Sequence, residues 1–126
     1  MQKVYRLKKG FQFNYIYRKG KSVAGKEMVL MYARNRNNKI LIGVSVSKKI
    51  GKSVVRNKVK RRIKESARLL IPQMDKRFNY VIIARTSAVD STYAQINQTL
   101  KYLLKKAQLL KQECNEETSL SDNKIL

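Results

Sequence analysis

The spacing of apolar positions predicts one short helix and three strands in residues 11–84. Residues 11–18 (FQFNYIYR) lie between two glycines and predict the helix. Residues 27–33 (EMVLMYA) predict a strand, and residues 39–47 (KILIGVSVS) alternate between an apolar and a smaller face, which is typical of a half-buried strand. Residues 79–84 form a short apolar run that suits a buried strand.

Two longer helices complete the pattern. The first begins near Ser53, a residue favoured at the N-cap, and has to end before Pro72. The second begins at Thr92, which has the capping-box spacing to Gln95. Its apolar stripe consists of Ile96, Leu100, Leu103, Leu104, Ala107 and Leu110. The order α-β-β-α-β-α predicts an α/β sandwich, with helices packed on one small mixed sheet.

The acidic residues are concentrated at the C-terminal end of this 126-residue chain. Residues 1–112 contain 28 of the 29 Lys and Arg but only four of the eight Asp and Glu. From Glu113 onward the charge changes sign and the periodicity is lost. We therefore expect residues 1–112 to form a single domain, and residues 113–126 to be a disordered acidic tail.

The charge of residues 1–112 indicates a polyanionic partner, because a polyanion relieves the self-repulsion and releases its own counterions. Nucleic acid is the leading candidate. A membrane surface is the alternative, but the sequence has no long apolar run and no Trp. We therefore predict an RNA-binding domain with no membrane association.

Catalytic and metal-binding side chains are scarce. His is absent, and the four carboxylates of residues 1–112 are scattered, so we predict no catalytic residue and no metal site in the protein. Cys114 is alone, and residues 1–10 lack the apolar segment of a signal peptide, so we expect a cytoplasmic protein.

The segment SVVRNKVKRRIKE (53–65) places its cations on one flank of the second helix. At 100° per residue, an arc of about 140° contains Arg56, Asn57, Lys60, Arg61, Lys64 and Arg68. The neighbouring arc is apolar and contains Val55, Val59, Ile63, Ser66, Ala67 and Leu70, while Lys58, Arg62 and Glu65 lie elsewhere on the surface. Clustered cations repel one another, and cations in the first turn oppose the helix dipole, so bound phosphate would reverse both penalties. The alternative is a basic face that is merely solvated.

Residues 43–65 (GVSVSKKIGKSVVRNKVKRRIKE) resemble the signature of the bacterial ribonuclease P protein component. Residues 6–25 (RLKKGFQFNYIYRKGKSVAG) are similar to the opening of that family, and the resemblance extends over residues 3–111. It implies an accessory subunit that joins a catalytic RNA to remove 5′ leaders from precursor tRNA by Mg²⁺-dependent hydrolysis. The RNA would supply the active site. The implied partners are this RNA and precursor tRNA, with no stable protein partner, and the implied topology has a left-handed crossover through the basic helix.

The resemblance also implies two sets of site residues. The set that would contact the catalytic RNA is Arg56, Asn57, Lys58, Lys60, Arg61, Lys64 and Arg68. The set that would line a cleft for the single-stranded leader is Phe13, Tyr17, Ser45, Ser47 and Lys48. Family members usually have Arg at the positions of Lys58 and Lys64, and often an aromatic residue at that of Met31.

Several alternatives remain open from the residues alone. Phe13 and Tyr17 could pack in the core, or Phe11, Tyr15 and Ile16 could supply the core-facing side of their helix instead. A ribosomal or other structural RNA-binding protein would have a similar composition. A protein-only nuclease is disfavoured, because metal-dependent nucleases need clustered carboxylates.

Overall fold

The computed structural model describes residue 7 and residues 10–110, except for the side chain of Phe11. The elements in chain order are α1 (Gly10–Lys19), β1 (Lys21–Ala24), β2 (Met28–Arg34), β3 (Ile42–Ser45), α2 (Ser53–Leu70), β4 (Phe78–Ala84) and α3 (Tyr93–Lys106). Short 3-10 turns span Lys48–Ile50, Ile71–Gln73 and Thr86–Asp90. The predicted acidic tail, residues 113–126, lies outside the described residues.

The four strands form one mixed sheet in the order β1-β2-β4-β3. β2 pairs antiparallel with β1 and β4, whereas β3 and β4 are parallel and are connected through α2. The predicted three-helix α/β fold with a mixed sheet is thus confirmed, and β3-α2-β4 is the unit for which the resemblance implies a left-handed crossover. The structure adds strand β1, which the pattern missed because this edge strand of four residues has only Val23 partly buried.

The pairing register gives the sheet two different faces. Leu30 is opposite Ile82 and faces α2 and α3, where the larger core lies. Met31 is opposite Val81 and faces α1, where the described residues form a smaller cluster around Ile16 and Ala33. Among the described residues, α1 and Leu7 cover that second face, and Phe13, Met31, Leu41 and Ile83 on it remain only partly buried.

Helix α2 buries the predicted apolar arc. Val59, Ile63, Ser66, Ala67 and Leu70 are buried, and Val55 is half-buried. The predicted N-cap is wrong by one residue: Lys52 is the N-cap, and Ser53 is the first helical residue. Gly51 has φ 152°, a conformation that favours glycine, and it sets the direction in which the chain enters the helix.

Helix α3 begins with the predicted capping box. Gln95 N–H donates to Thr92 Oγ1 at 3.2 Å, and Thr92 N–H donates to Gln95 Oε1 at 2.8 Å. The helix ends at Lys106, so the predicted stripe is too long: Ala107 is the C-cap, and Leu110 forms a β-bridge with Met74. Gln108 has φ 61°, a left-handed conformation that stops the helix.

Strand β3 is shorter than the predicted 39–47. Leu41 lies just outside it: its C=O accepts from Tyr80 N–H of β4 at 2.9 Å, but its N–H donates to the side chain of Asn79 at 3.1 Å instead of to a backbone carbonyl. After Ser45 the chain turns away from the sheet into the 3-10 turn Lys48–Ile50 and then into α2. This end of β3 therefore leads directly to the basic helix.

Candidate RNA-binding surfaces

The basic flank of α2 is present as a continuous surface beside the buried apolar arc. Asn57, Arg61 and Arg68 are exposed, and Arg56, Lys60 and Lys64 are half-buried, which leaves part of each side chain at the surface. Lys58 is also exposed but lies outside this arc, about 60° beyond Arg61 at 100° per residue. One flank therefore collects five cations and an amide.

Arg56 folds back on the beginning of its own helix. Its Nε donates to Gly51 O at 3.1 Å, and its Nη2 donates to Ser53 Oγ at 3.3 Å. A guanidinium carries five N–H donors, so three remain available. The first turn of α2 contains no acidic residue, and no side chain caps its N-terminus. A fixed cation thus stands beside backbone N–H groups, an arrangement that suits a phosphate.

Two side chains of α2 behave differently from the sequence expectation. Arg68 forms an ion pair with Glu65, with its Nε 3.1 Å from Glu65 Oε1, so one cation of the flank is already partnered. Arg62 was expected elsewhere on the surface but is half-buried, and its Nη1 donates to Ser91 O at 3.0 Å. Arg62 therefore ties α2 to the segment before α3. The helical wheel could not show this, because Ser91 is distant in sequence.

The aromatic pair of α1 lies on the sheet beside β3. A Cβ added to Gly43 would lie only 2.5 Å from Phe13 Cζ, which shows that the ring rests directly on this glycine. Phe13 is half-buried, and Tyr17 is 41% exposed, with a distance of 6.4 Å between the two ring centroids. Ile16 fills the core-facing position instead, since it is 1% exposed.

The three other candidates for the core-facing side of α1 differ in their exposure. Ile16 takes that role, but Tyr15 does not, because 48% of it is exposed. The side chain of Phe11 lies outside the described part of the chain. Phe13 packs partly against the smaller cluster, whereas Tyr17 keeps 41% of its surface exposed. The helix therefore places one aromatic ring on the sheet and leaves the next one open.

The register of β3 and β4 builds the sheet side of this cleft. Gly43 is opposite Val81, and Ser45 is opposite Ile83, so these residues share the face that α1 covers. Ser45 is half-buried and continues the cleft, while Ser47 and Lys48 are exposed beyond the end of the strand. Sequence reasoning missed Gly43 and Ile83. The alternation along β4 could have identified Ile83, but only once the pairing with β3 was known.

Among the described residues, the acidic side chains are already engaged or lie away from these surfaces. The hydrogen bond from Arg68 lowers the pKa of Glu65, and that from Arg77 lowers the pKa of Asp75, so both carboxylates are ionised and paired. Glu27 is buried and accepts a hydrogen bond from Thr99. The positive potential of the α2 flank and the cleft is therefore little compensated.

Known proteins match this chain over most of its length. The sequence model of the Ribonuclease P family matches residues 1–108. The chain belongs to the ribonuclease P protein family. A ribonuclease P protein component of Clostridium botulinum (strain 657) is 52% identical over 103 residues, covering 81% of this chain and 93% of that relative. One from Clostridium kluyveri is 47% identical over 110 residues, covering 86% of this chain and 98% of that relative.

Solved structures of the family share the fold. The RNase P protein of Staphylococcus aureus superposes with a TM-score of 0.79 at 38% identity, covering 86% of this chain and all of that one. The Thermotoga maritima protein gives a TM-score of 0.73 at 28% identity, covering 80% of this chain and 96% of that one. As a ribonuclease P protein, the chain is the protein subunit of an endoribonuclease ribonucleoprotein that acts in tRNA 5′ processing. Its partners are the ribonuclease P RNA and precursor tRNA, and these matches give no support to the ribosomal alternative.

No helix within residues 10–110 is long and apolar enough to cross a membrane.

Proposed function

We propose that the two surfaces divide the work of the subunit, the flank of α2 binding the catalytic RNA and the cleft beside α1 binding the 5′ leader of precursor tRNA. The contacts to the catalytic RNA are assigned to the flank residues Arg56, Asn57, Lys60, Arg61, Lys64 and Arg68, and to Lys58, which is exposed beyond the flank on the same helix. Those to the leader are assigned to Phe13, Tyr17, Ser45, Ser47 and Lys48.

The observation that carries this proposal is the continuity of the two surfaces. Ser45 ends β3 on the face of the cleft, and the 3-10 turn Lys48–Ile50 leads from there into α2. Arg56 stands in the first turns of that helix and is hydrogen-bonded to Gly51 O. A leader in the cleft would therefore leave it next to RNA held on the flank.

The cleft suits a single strand of varied sequence. The exposed ring of Tyr17 offers a stacking surface, and every base can stack on an aromatic ring. Ser45, Ser47 and Lys48 add hydroxyls and one cation for the backbone phosphates. Phe13 is more deeply packed, so it supports the ring of Tyr17 and the floor of the cleft at Gly43.

The chemistry is assigned to the RNA. Ribonuclease P catalysis uses Mg²⁺, and the described residues bring no three His, Cys, Asp or Glu side chains together as a metal site. We therefore place the Mg²⁺ ions on the RNA. As a separate proposal, the enzyme acts in the cytoplasm. The protein positions the leader relative to the catalytic RNA, which favours the complex in which cleavage takes place.

Cleavage of a precursor tRNA tests the assignment of function. The purified protein with a ribonuclease P RNA should cleave the leader faster than the RNA alone at low Mg²⁺, and the protein without RNA should not cleave it. The proposal would be contradicted if the protein did not accelerate cleavage by the RNA, or if the protein alone cleaved the precursor.

The leader cleft is tested by Tyr17→Ala. Loss of one stacked base should weaken binding of a long-leader substrate by roughly 1–3 kcal/mol. Binding of mature tRNA and assembly with the RNA should not change, and the melting temperature should change little, because Tyr17 belongs to neither of the two buried clusters. Tyr102→Ala is a matched control, since Tyr102 is a similarly exposed ring (57%) on α3, away from the cleft. Equal losses for long-leader substrate and mature tRNA would remove Tyr17 from the leader site.

A further inference from the structure

A second basic and aromatic surface lies at the end of the sheet opposite Ser45. β2 ends at Arg34, which pairs with Phe78 at the beginning of β4, whereas Ser45 pairs with Ile83 near the end of β4. A strand of seven residues separates its ends by ~20 Å. This end of the sheet is therefore distant from Ser45 and from the first turns of α2, although the two surfaces share helix α1.

We call it the Arg34 surface, and its cations come from three consecutive elements. Arg18 and Lys19 end α1, Lys21 begins β1, and Arg34 ends β2. None of these four forms an ion pair with a carboxylate in the part of the chain that the structure describes. The carboxylate of Asp75 lies nearby but is engaged by Arg77, with Nη2 at 2.8 Å. Asp75 also interacts electrostatically with Arg34, so the local positive charge is only partly compensated, by one carboxylate that Arg77 already engages.

Aromatic rings are interleaved with these cations. The guanidinium of Arg34 lies 5.8 Å from the centroid of the Phe78 ring, and Phe78 is packed edge-on against Tyr32, at 5.7 Å between centroids. Tyr15 is 48% exposed on the outer flank of α1, the side away from Phe13 and Tyr17. The ring under Arg34 restricts a side chain that would otherwise be mobile, so less entropy is lost when it binds an anion.

Arg34 lines two cavities. One of about 340 Å³ is lined by Tyr15, Arg18, Arg34 and Asn79, among others. The other, of about 430 Å³, is lined by Lys19, Lys21, Arg34 and Phe78, among others. Both volumes fall within the range of ligand sites. Arg34 lines both cavities, so a phosphate held by its guanidinium would place the neighbouring bases close to them.

We propose that the Arg34 surface is a further RNA-binding site, which holds a single-stranded segment by stacking on Tyr15 and by phosphate contacts to Arg18, Lys21 and Arg34. Rings next to unpaired cations are the combination that binds single-stranded nucleic acid, whereas an acidic peptide would need no exposed ring. The inference rests on the proposed function, since it adds a second grip on RNA at the far end of the sheet. The protein would then bridge two RNA segments.

The test uses the full-length protein, a short oligouridylate and amide chemical shifts in solution. The oligonucleotide should shift two groups of signals that lie outside α1, one around Ser45 and one around Lys21 and Arg34, at opposite ends of the sheet. Tyr17→Ala should abolish the first group and leave the second. Tyr15→Ala should leave the first group and weaken the second site about fivefold or more.

The cations are tested by Arg34→Gln and Arg18→Gln, with Arg36→Gln as the matched control. Arg36 is an exposed cation two residues from Arg34 that lines neither of the two cavities. Each of the first two changes should lower the salt dependence at the second site by about 0.7 in log–log slope, and the control should not. Arg18 is exposed, so Arg18→Gln should not affect folding. It therefore tests the phosphate contacts even if Arg34→Gln lowers the melting temperature.

Two outcomes overturn the proposal. One is the absence of shifts around Arg34 when the cleft is saturated. The other is a decrease in salt dependence for Arg34→Gln and Arg18→Gln that is no larger than the decrease for Arg36→Gln. Leader cleavage is measured separately with the wild-type holoenzyme. Normal stimulation of cleavage without the second group of shifts rejects the Arg34 site and leaves the proposed function intact.

Discussion

The two faces of the sheet differ in how completely they are covered. On the side of α2 and α3, the described residues include a cluster of twenty buried apolar side chains, among them Leu100 and Ile82. On the side of α1, the corresponding cluster has four, and Phe13, Met31, Leu41 and Ile83 remain only partly buried around it. A single helix of ten residues cannot cover a four-stranded sheet.

This difference separates stability from binding. The side packed by two helices supplies most of the apolar burial, which is the main favourable contribution to folding. The side covered by α1 keeps partly buried rings and backbone within reach of a ligand, between Tyr17 and Ser45. The basic flank of α2 lies next to the filled side, so its cations are held on a helix whose other face is anchored. The packed core thereby holds the binding surface of α2 in a fixed position.

The largest effect is expected from a core change on the filled side. Leu100→Ala should lower the free energy of unfolding by ~2–5 kcal/mol, because Leu100 is fully buried. Ile16→Ala on the other face should cost less, near ~2 kcal/mol, since Ile16 borders an open cavity that water and neighbours can fill. Chemical denaturation of both variants measures the difference. Equal losses, or a larger loss for Ile16→Ala, would contradict the view that the two faces contribute unequally.

Most of the fold could be predicted from the sequence, because local patterns determine it. The alternation of residues 39–47 and the capping box at Thr92 each depend on neighbours in sequence, and the structure confirms a strand and a helix there. β1 was missed because an edge strand of four residues carries almost no apolar pattern. The end of α3 was misplaced because the stripe continues through Leu110, while the left-handed Gln108 ends the helix.

The candidate site was only partly predictable. The flank of α2 follows from helical periodicity, and its placement beside the buried arc agrees with the structure. The contact between Phe13 and Gly43, the pairing of Ser45 with Ile83 and the bond from Arg62 to Ser91 all join residues far apart in the chain. No periodicity encodes such contacts. The Arg34 surface could not be predicted for the same reason, since α1, β1 and β2 each contribute only one or two of its cations.

A second effect is expected at the floor of the cleft. In Gly43→Ala, the new Cβ would lie 2.5 Å from Phe13 Cζ, so the ring has to move. Overpacking of this kind costs ~1–3 kcal/mol of stability. Displacement of Phe13 and Tyr17 should also reduce affinity for long-leader substrate more than affinity for mature tRNA. Gly10→Ala is the control, because nothing lies within 4 Å of a Cβ there. A lowered melting temperature with unchanged leader affinity would assign Phe13 to packing alone.

A smaller effect should distinguish two arginines on the flank of α2. Arg61 is exposed and forms no ion pair with the described carboxylates, whereas Arg68 is paired with Glu65. Arg61→Ala should therefore reduce the salt dependence of binding to the catalytic RNA by about one counterion. Arg68→Ala should reduce it less, because the wild-type charge is partly neutralised. Affinity is measured over a series of salt concentrations, with melts as the folding control. A larger change in slope for Arg68→Ala would mean that RNA displaces Glu65.

The smallest effect concerns the ion pair between Asp75 and Arg77, which line one of the two cavities at the Arg34 surface. Hydrogen bonding from Arg77 lowers the pKa of Asp75, so its carboxylate stabilises the folded state at pH values above the usual aspartate pKa of ~3.9. This contribution is lost as the pH falls through the lowered pKa. Asp75→Asn should thus be less stable than wild type at neutral pH, and the difference should vanish in acid; urea melts at both pH values measure it. The variant should also bind oligouridylate at the Arg34 surface slightly more tightly, because Arg77 is then unpaired. A stability difference that persists in acid would show that the side chain acts through its hydrogen bonds rather than its charge.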